Sequence, residues 1–249
     1  MTIPPFETTF AVPLNCEACV KDVQGSLYKL PGISNVTADL KSQLLSITGT
    51  AAPSAIVSAI QDTGRDAILR GSGSADGAAA VCILETHASA LKANSVRGLI
   101  RMVQVAPAMT ILDMTFKGVK EGTYNVTVRE TGDISRGASS AGSVWDLLTA
   151  QQSSPPRPAK GIFGVIEVGK SGMGSVFLDK PIEVWELIGR CIVVSREKVE
   201  GPFEREDEDT FVGVIARSAG VWDNDKTVCS CSGKTVWEER TEQTSKGML

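Results

Sequence analysis

Residues 6–40 read FETTFAVPLNCEACVKDVQGSLYKLPGISNVTADL, and this stretch decides the fold. Phe6 to Val12 has the composition of a strand, and Pro13 interrupts it just before Leu14-Asn15-Cys16. Val20, Val23, Leu27 and Leu30 then recur at spacings of 3, 4 and 3, one face of a helix that Pro31-Gly32 stops. Val36, Ala38 and Leu40 alternate, Lys41-Ser42-Gln43 can turn, and Leu45 and Ile47 alternate again, which predicts a hairpin. Pro53-Ser54 opens a second helix with Ile56, Val57 and Ile60 inward and Gly64 at its end, and Ala67 to Leu69 supplies a short last strand. The order is βαββαβ.

That order defines an α+β, ferredoxin-like head over residues 1–70, with Cys16 in the first βα loop and Cys19 near the helix start. Helix N-terminal N–H groups favour thiolate over thiol, so this pair should ionise more readily than free cysteines. Two thiolates without histidine or carboxylate partners suit soft, low-coordinate Cu(I) better than hard ions or four-coordinate zinc. A redox Cys-x-x-Cys also starts a helix, but the thioredoxin fold carries a different order of elements. Histidine scarcity narrows the chemistry further. The single His87 excludes Cys2His2 zinc, three-histidine zinc and multi-histidine copper sites, and it has no nucleophile-elbow sequence near it. Six cysteines form two close pairs, Cys16/Cys19 and Cys229/Cys231, while Cys82 and Cys191 sit in apolar runs and read as core.

A chain of 249 residues is long enough for two modest domains, and Gly71 to Gly77 has the composition of a linker. Beyond it, short apolar segments recur between Gly-rich turns: 78–85, 96–105, 109–116, 123–130, 162–168, 174–178, 183–187, 191–195 and 211–216. They predict an all-β sandwich or flattened barrel over 78–217, followed by a flexible tail at 218–249. The net charge of −4 gives no reason to expect a nucleic-acid partner, and no apolar run approaches the length of a membrane span. Residues 1–15 lack the basic and apolar regions of a secretion signal, so a reducing, cytoplasmic setting is expected. Glu204 to Asp209 reads as a solvated acidic loop.

Residues 6–70 resemble a heavy-metal-associated domain. That family carries Met-x-Cys-x-x-Cys; Leu14 stands at the Met position here, where an apolar side chain supports the loop from below. Arg65, after Thr63-Gly64, matches a position where soluble copper carriers have a lysine near the metal, and a cation there offsets the net −1 of a Cu(I)-dithiolate. Roughly residues 78–217 resemble Cu,Zn superoxide dismutase, a Greek-key barrel. The resemblance rests on Val96-Arg97-Gly98, Gly122-Thr123-Tyr124, Glu130 to Ser135, Ser140-Ala141-Gly142, Ile188 to Val194 and Gly213-Val214-Ile215. Aligned on these, the enzyme's metal-ligand positions fall on Thr127, Arg129, Val144, Ser195 and roughly Ser175, and its disulfide positions on Ala138 and Val212. No dismutase-type copper-zinc site is expected.

Gly213 to Trp222 and Val228 to Arg240, around Cys229-Ser230-Cys231, resemble the carboxy-terminal signature of copper chaperones for superoxide dismutase, and the three-part layout covers nearly the whole chain. The resemblance implies a metallochaperone rather than an enzyme. Cys16 and Cys19 would carry Cu(I), and Cys229 and Cys231 would exchange thiols or copper with the target. Gly213, Val214, Ile215, Arg217, Ser218, Gly220 and Trp222 would form the docking surface. The implied partner is Cu,Zn superoxide dismutase in a heterodimer, with a homodimer through the same face, in the cytoplasm and the mitochondrial intermembrane space. A disulfide between Cys229 and Cys231 would close a tight, strained ring, which favours exchange. Two alternatives stay open: a thiol-disulfide oxidoreductase with zinc bound by Cys16, Cys19, Cys229 and Cys231, and an active dismutase.

Overall fold

A computed structural model describes residues 3–72, 78–88, 96–196, 199–204, 207–218, 234–235, 237–238 and 241–242. The head contains β1 (Phe6–Ala11), α1 (Glu17–Leu27), β2 (Ile33–Asp39), β3 (Leu44–Gly49), α2 (Pro53–Gln61) and β4 (Ile68–Ser72). Its sheet runs β2-β3-β1-β4, with β1 antiparallel to both neighbours. The expected βαββαβ order is present. Phe10, Leu45, Ile47 and Val36 from the strands meet Val23, Leu27, Ile56 and Ile60 from the helices in one buried cluster. The hairpin turns because Asp39 accepts the Lys41 N–H at 2.9 Å and the Ser42 hydroxyl at 2.6 Å.

β4 extends through Gly71 and Ser72, which pair with Thr9 and Thr8 of β1. Those two residues, expected in the linker, therefore belong to the head sheet, and residues 73–77 lie outside the described part.

The body adds β5 (Ala79–Thr86), β6 (Val96–Ala106), β7 (Met109–Lys117), β8 (Gly122–Val128), β9 (Ser135–Ala138), α3 (Leu147–Gln152), β10 (Ile162–Val168), β11 (Met173–Lys180), α4 (Val184–Leu187), β12 (Cys191–Ser195) and β13 (Thr210–Arg217). Eight strands form one antiparallel sheet in the order β10-β8-β12-β13-β5-β6-β7-β11. The sheet curls until its outer strands meet, where Lys180 Nζ donates to the Ile162 carbonyl at 3.0 Å. The result is a nearly closed barrel. Alternate residues (Cys82, Leu84, Ile100, Met102, Leu112, Met114, Val126, Val128, Ile192, Val194) point inward and fill it.

Residues 183–187 are a correction: they form α4 and its cap instead of a strand. Pro181 ends the preceding strand region, and Glu186 accepts the Glu183 N–H at 3.1 Å, closing a capping box that starts a helical turn. β9 and α3 were also not expected; neither Ser135–Ala138 nor Leu147–Gln152 carries an apolar period long enough to show. Among the described residues, no helix is long and apolar enough to cross a membrane.

Candidate metal-carrying site

β1 delivers the chain to one pole of the head, and Pro13 ends the strand there. Leu14, 2% exposed, is buried in the head core and anchors the loop from beneath. Asn15 and Cys16 are consequently pushed outward, and Cys16 takes an extended conformation as the residue capping α1. One turn later Cys19 returns to the same spot. The two sulfurs stand 3.1 Å apart, close enough to share a proton, on a surface open to solvent.

The third element is the loop after α2. Gly64 adopts φ +78°, a conformation that L side chains rarely take, and this turn brings Arg65 back toward the dithiol. Arg65 donates to the Asp22 carboxylate at 2.7 Å and to the Thr63 carbonyl at 3.0 Å. Its guanidinium also reaches Cys19. The Cys19 thiol is lowered to about 7: the hydrogen bond from Cys16 contributes most, then Arg65, then the backbone at Asn15. Near neutral pH the Cys19 proton is therefore readily displaced, and a soft metal ion can take its place. Arg65 is in turn raised by Cys19 and Asp22. Asp22 was not singled out in the sequence, although its position one helical turn after Cys19 was the available signal.

Cys82 and Cys191 contrast with this pair. Both are fully buried in the barrel, and burial pushes both thiols up, Cys191 to about 12. His87 is half-buried and packs against Gly137.

In the body, four of the five positions aligned with dismutase ligands, Thr127, Arg129, Val144 and Ser195, are engaged internally. Thr127 is buried and donates its hydroxyl to the Val193 carbonyl at 3.1 Å. Arg129, 0% exposed, is the bulkiest side chain in the interior; it donates to the Val199 carbonyl at 2.7 Å, faces Glu200 at 3.4 Å and stacks on Phe203 at 4.9 Å. Glu200 also accepts the Val144 N–H, so one ion pair ties β8, the loop at Val144 and the segment after β12 together. Ser195 is buried and accepts from Thr210 at 3.3 Å, whereas Ser175 is exposed on β11. Ala138 and Val212 pack in one apolar cluster with Cys191, Val193 and Phe203. Among the described residues, no three His, Cys, Asp or Glu side chains gather to hold a metal.

The expected docking residues divide by the pleat of β13. Gly213 and Ile215 are buried; a Cβ on Gly213 would lie 1.9 Å from the Ile83 carbonyl oxygen, so this glycine serves the β13–β5 approach. Val214 is 38% exposed and Arg217 is exposed, while Ser218 donates its N–H to Ala79 at 2.9 Å. Exposed Ile83, at 49%, lies on the neighbouring strand. Beside them opens a cleft of about 520 Å³ lined in part by Trp145, whose ring centre lies 4.5 Å from the Arg190 guanidinium and 5.4 Å from Lys160 Nζ, with Trp185 exposed at 70%. Sequence reading did not find this aromatic platform, although tryptophan is scarce enough in the chain to have drawn notice. Cys229, Cys231, Gly220 and Trp222 lie outside the described residues.

A dithiol at the exposed pole of a ferredoxin-like head, joined to a barrel in which Thr127, Arg129, Val144 and Ser195 at the aligned positions make internal hydrogen bonds, defines a metal-carrying protein built on a dismutase scaffold. Comparison with known proteins agrees. The family model for the heavy-metal-associated domain matches residues 9–66, and that for copper/zinc superoxide dismutase matches residues 96–208. The chain is 42% identical over 239 residues to the superoxide dismutase 1 copper chaperone of Kluyveromyces lactis, covering 95% of this chain and 94% of that one. It is 40% identical to the protein of the same name from Saccharomyces cerevisiae, with 95% of each covered. The mouse (Mus musculus) copper chaperone for superoxide dismutase is 30% identical, with 93% of this chain and 88% of that one covered. The chain belongs to the family of copper chaperones for superoxide dismutase, whose members are named as carriers and not as dismutases.

Proposed function

We propose that the protein carries Cu(I) on Cys16 and Cys19, delivers it to Cu,Zn superoxide dismutase and promotes that enzyme's disulfide. The observation that carries this reading is the pair of sulfurs 3.1 Å apart at an exposed pole. Two-coordinate thiolate binding there is open to an incoming pair of ligands, so the ion can pass by exchange without becoming free. Arg65 offsets the charge of the loaded site and Leu14 supports the loop. The body carries no dismutase-type copper-zinc site and contributes docking: Val214, Arg217 and Ser218, with buried Gly213 and Ile215 holding β13 behind them and Gly220 and Trp222 continuing the surface, meet one dismutase subunit in a heterodimer. The same face serves a homodimer in the absence of target.

Cys229 and Cys231 act on the target's thiols. Starting from a Cys229–Cys231 disulfide, a target thiolate attacks one sulfur and forms a mixed disulfide, and the other tail cysteine leaves as thiolate. The target's second thiolate then displaces the tail. The target gains a disulfide, and the tail ends as a dithiol carrying the two electrons. Free thiols on the head fit the reducing cytoplasm, and the exchange step fits the mitochondrial intermembrane space as a second location.

Mixing Cu(I)-loaded protein with zinc-loaded, copper-free dismutase and following activity tests the whole reading. Wild type should activate the enzyme. The Cys16→Ser/Cys19→Ser variant should fail for want of copper, and Cys229→Ser/Cys231→Ser should dock without forming the target disulfide. Activation by the first variant at the wild-type rate would overturn the assignment of the carrier thiols, and target oxidation by the second would overturn that of the tail.

A further inference from the structure

The head and the body meet at a junction that the function above does not explain. In an antiparallel barrel alternate residues face out, and on β6 and β7 the outward set includes Arg101, Val103, Ile111 and Asp113. Such positions are ordinarily wet. Here Val103 and Ile111 are 2% and 1% exposed, and they form a closed apolar cluster with Phe6 of the head, joined by Ile3, Val105 and Phe177. Asp113 is 2% exposed as well.

What buries Asp113 is the first turn of α2. Ala52 precedes that helix and has no side chain able to cap it. The missing acceptor comes from the body, 59 residues further along: Asp113 accepts the Ser54 backbone N–H at 2.8 Å and the Ser54 hydroxyl at 2.6 Å. Arg101 faces the same carboxylate at 3.4 Å from the neighbouring strand. A negative charge at a helix N-terminus is favoured by the exposed N–H groups, and a buried carboxylate persists when its donors are supplied. Both conditions hold only when head and body are together. Undocking would expose six apolar side chains and leave the helix uncapped.

We propose that Asp113 is a latch that caps α2 across the domain junction and, with the Phe6–Val103–Ile111 clamp, joins head and body into one rigid unit. The connection favours this state: β4 ends at Ser72 and β5 begins at Ala79, so the tether is short and the effective concentration of one domain at the other is on the order of mM. The latch also fixes the cargo. Phe6 at the junction begins β1, and Ala11 at the far end leads into the thiol loop, about 17 Å along the strand. The dithiol is thus held at the pole facing away from the junction, and the head occupies the outer face of β6 and β7, leaving Val214 on β13 uncovered.

The test is backbone ¹⁵N relaxation on the full chain, comparing rotational correlation times of head and body amides. The wild type should show one common value. Asp113→Lys puts a cation against Arg101 and the helix N-terminus, and Ser54→Asp puts a carboxylate against Asp113; each should drop the head's correlation time to roughly half the body's or less, as for a tethered independent unit. Ser54→Asp also supplies α2 with an acid in its first turn, so the undocked head keeps its helix and this variant reports even where Asp113→Lys fails to fold. Stoichiometric Cu(I) binding should persist in both, because the thiols lie at the other pole. Independent tumbling of the head in the wild type, or a common correlation time in Ser54→Asp, would overturn the latch.

Discussion

Replacing Arg65 by alanine separates the charge at the dithiol from the thiols themselves. The guanidinium is held by Asp22 at 2.7 Å and Thr63 at 3.0 Å and is one of three groups that lower the Cys19 thiol to about 7. The Cys16 hydrogen bond, the largest of the three, and the Asn15 backbone both survive the substitution. Cys19 should therefore rise only part of the way back to an ordinary thiol, to about 8, since one adjacent opposite charge typically moves a group by 1–3 units and this one is exposed to water. At pH 7 the thiolate fraction then falls from about one half to about one tenth. The pH profile of iodoacetamide alkylation should show roughly fivefold slower labelling at pH 7, with the two proteins converging above pH 9. Copper follows with a definite sign. Protons compete with the metal below the thiol pKa, so apparent Cu(I) affinity climbs with pH and levels off once the pair is ionised. In Arg65→Ala the part of that climb set by Cys19 should move up by about one pH unit, and Arg65→Lys should restore most of it. Superimposable alkylation profiles for wild type and Arg65→Ala would show that the guanidinium serves Asp22 and Thr63 alone.

Three further substitutions probe the body. Arg129→Ala removes a charged hydrogen bond to Val199 but leaves Glu200 partly solvated, so the loss should be about 2–3 kcal/mol, read as a lower chemical-denaturation midpoint of the body; an unchanged midpoint would mean the buried pair does not hold the loop. Val214→Asp places a carboxylate on an exposed strand position and should leave the melting curve within a few degrees of wild type while weakening complex formation with dismutase by light scattering. Gly213→Asp should instead prevent β13 from pairing, because its Cβ would sit 1.9 Å from the Ile83 oxygen; a folded Gly213→Asp barrel with native amide dispersion would contradict that packing.

The head was legible because each of its elements carries its own period. Val20, Val23 and Leu27 mark one helix face, Ile56 and Ile60 another, and a proline or glycine closes each run. The thiol pair was placed correctly for the same reason: a cysteine between a broken strand and a helix start has only one position in that order of elements. The body strands were equally visible where apolar residues alternate. Residues 183–187 were misread because Val184 and Leu187, both buried, fit either period over so short a run, and only the Glu183–Glu186 box distinguishes them. What no local pattern contains are pairings across long separations. Asp113 capping Ser54 and Arg129 facing Glu200 join residues dozens of positions apart, and each residue alone reads as a surface charge.

The two ends of the chain's chemistry are kept apart for a physical reason. A carrier must hold copper tightly enough to keep it from solution and loosely enough to surrender it, which in the proposed function falls to the two exposed thiols Cys16 and Cys19. A body that had kept dismutase ligands would compete for the same ion with a closed site and retain it. Arg129 works against such competition, since a buried guanidinium facing Glu200 opposes a cation entering beside it. The substitution has a cost: burial lowers the Arg129 pKa, and its Nε and one terminal nitrogen have no hydrogen-bond acceptor. That cost is offset because the same ion pair ties Val144 and the segment after β12 to the residue that follows β8. The barrel can then keep the exposed positions of β13 while its interior is filled by these internal contacts. In the proposed function this is the feature that lets one scaffold present a dismutase-like face to its target while the head carries the copper on Cys16 and Cys19.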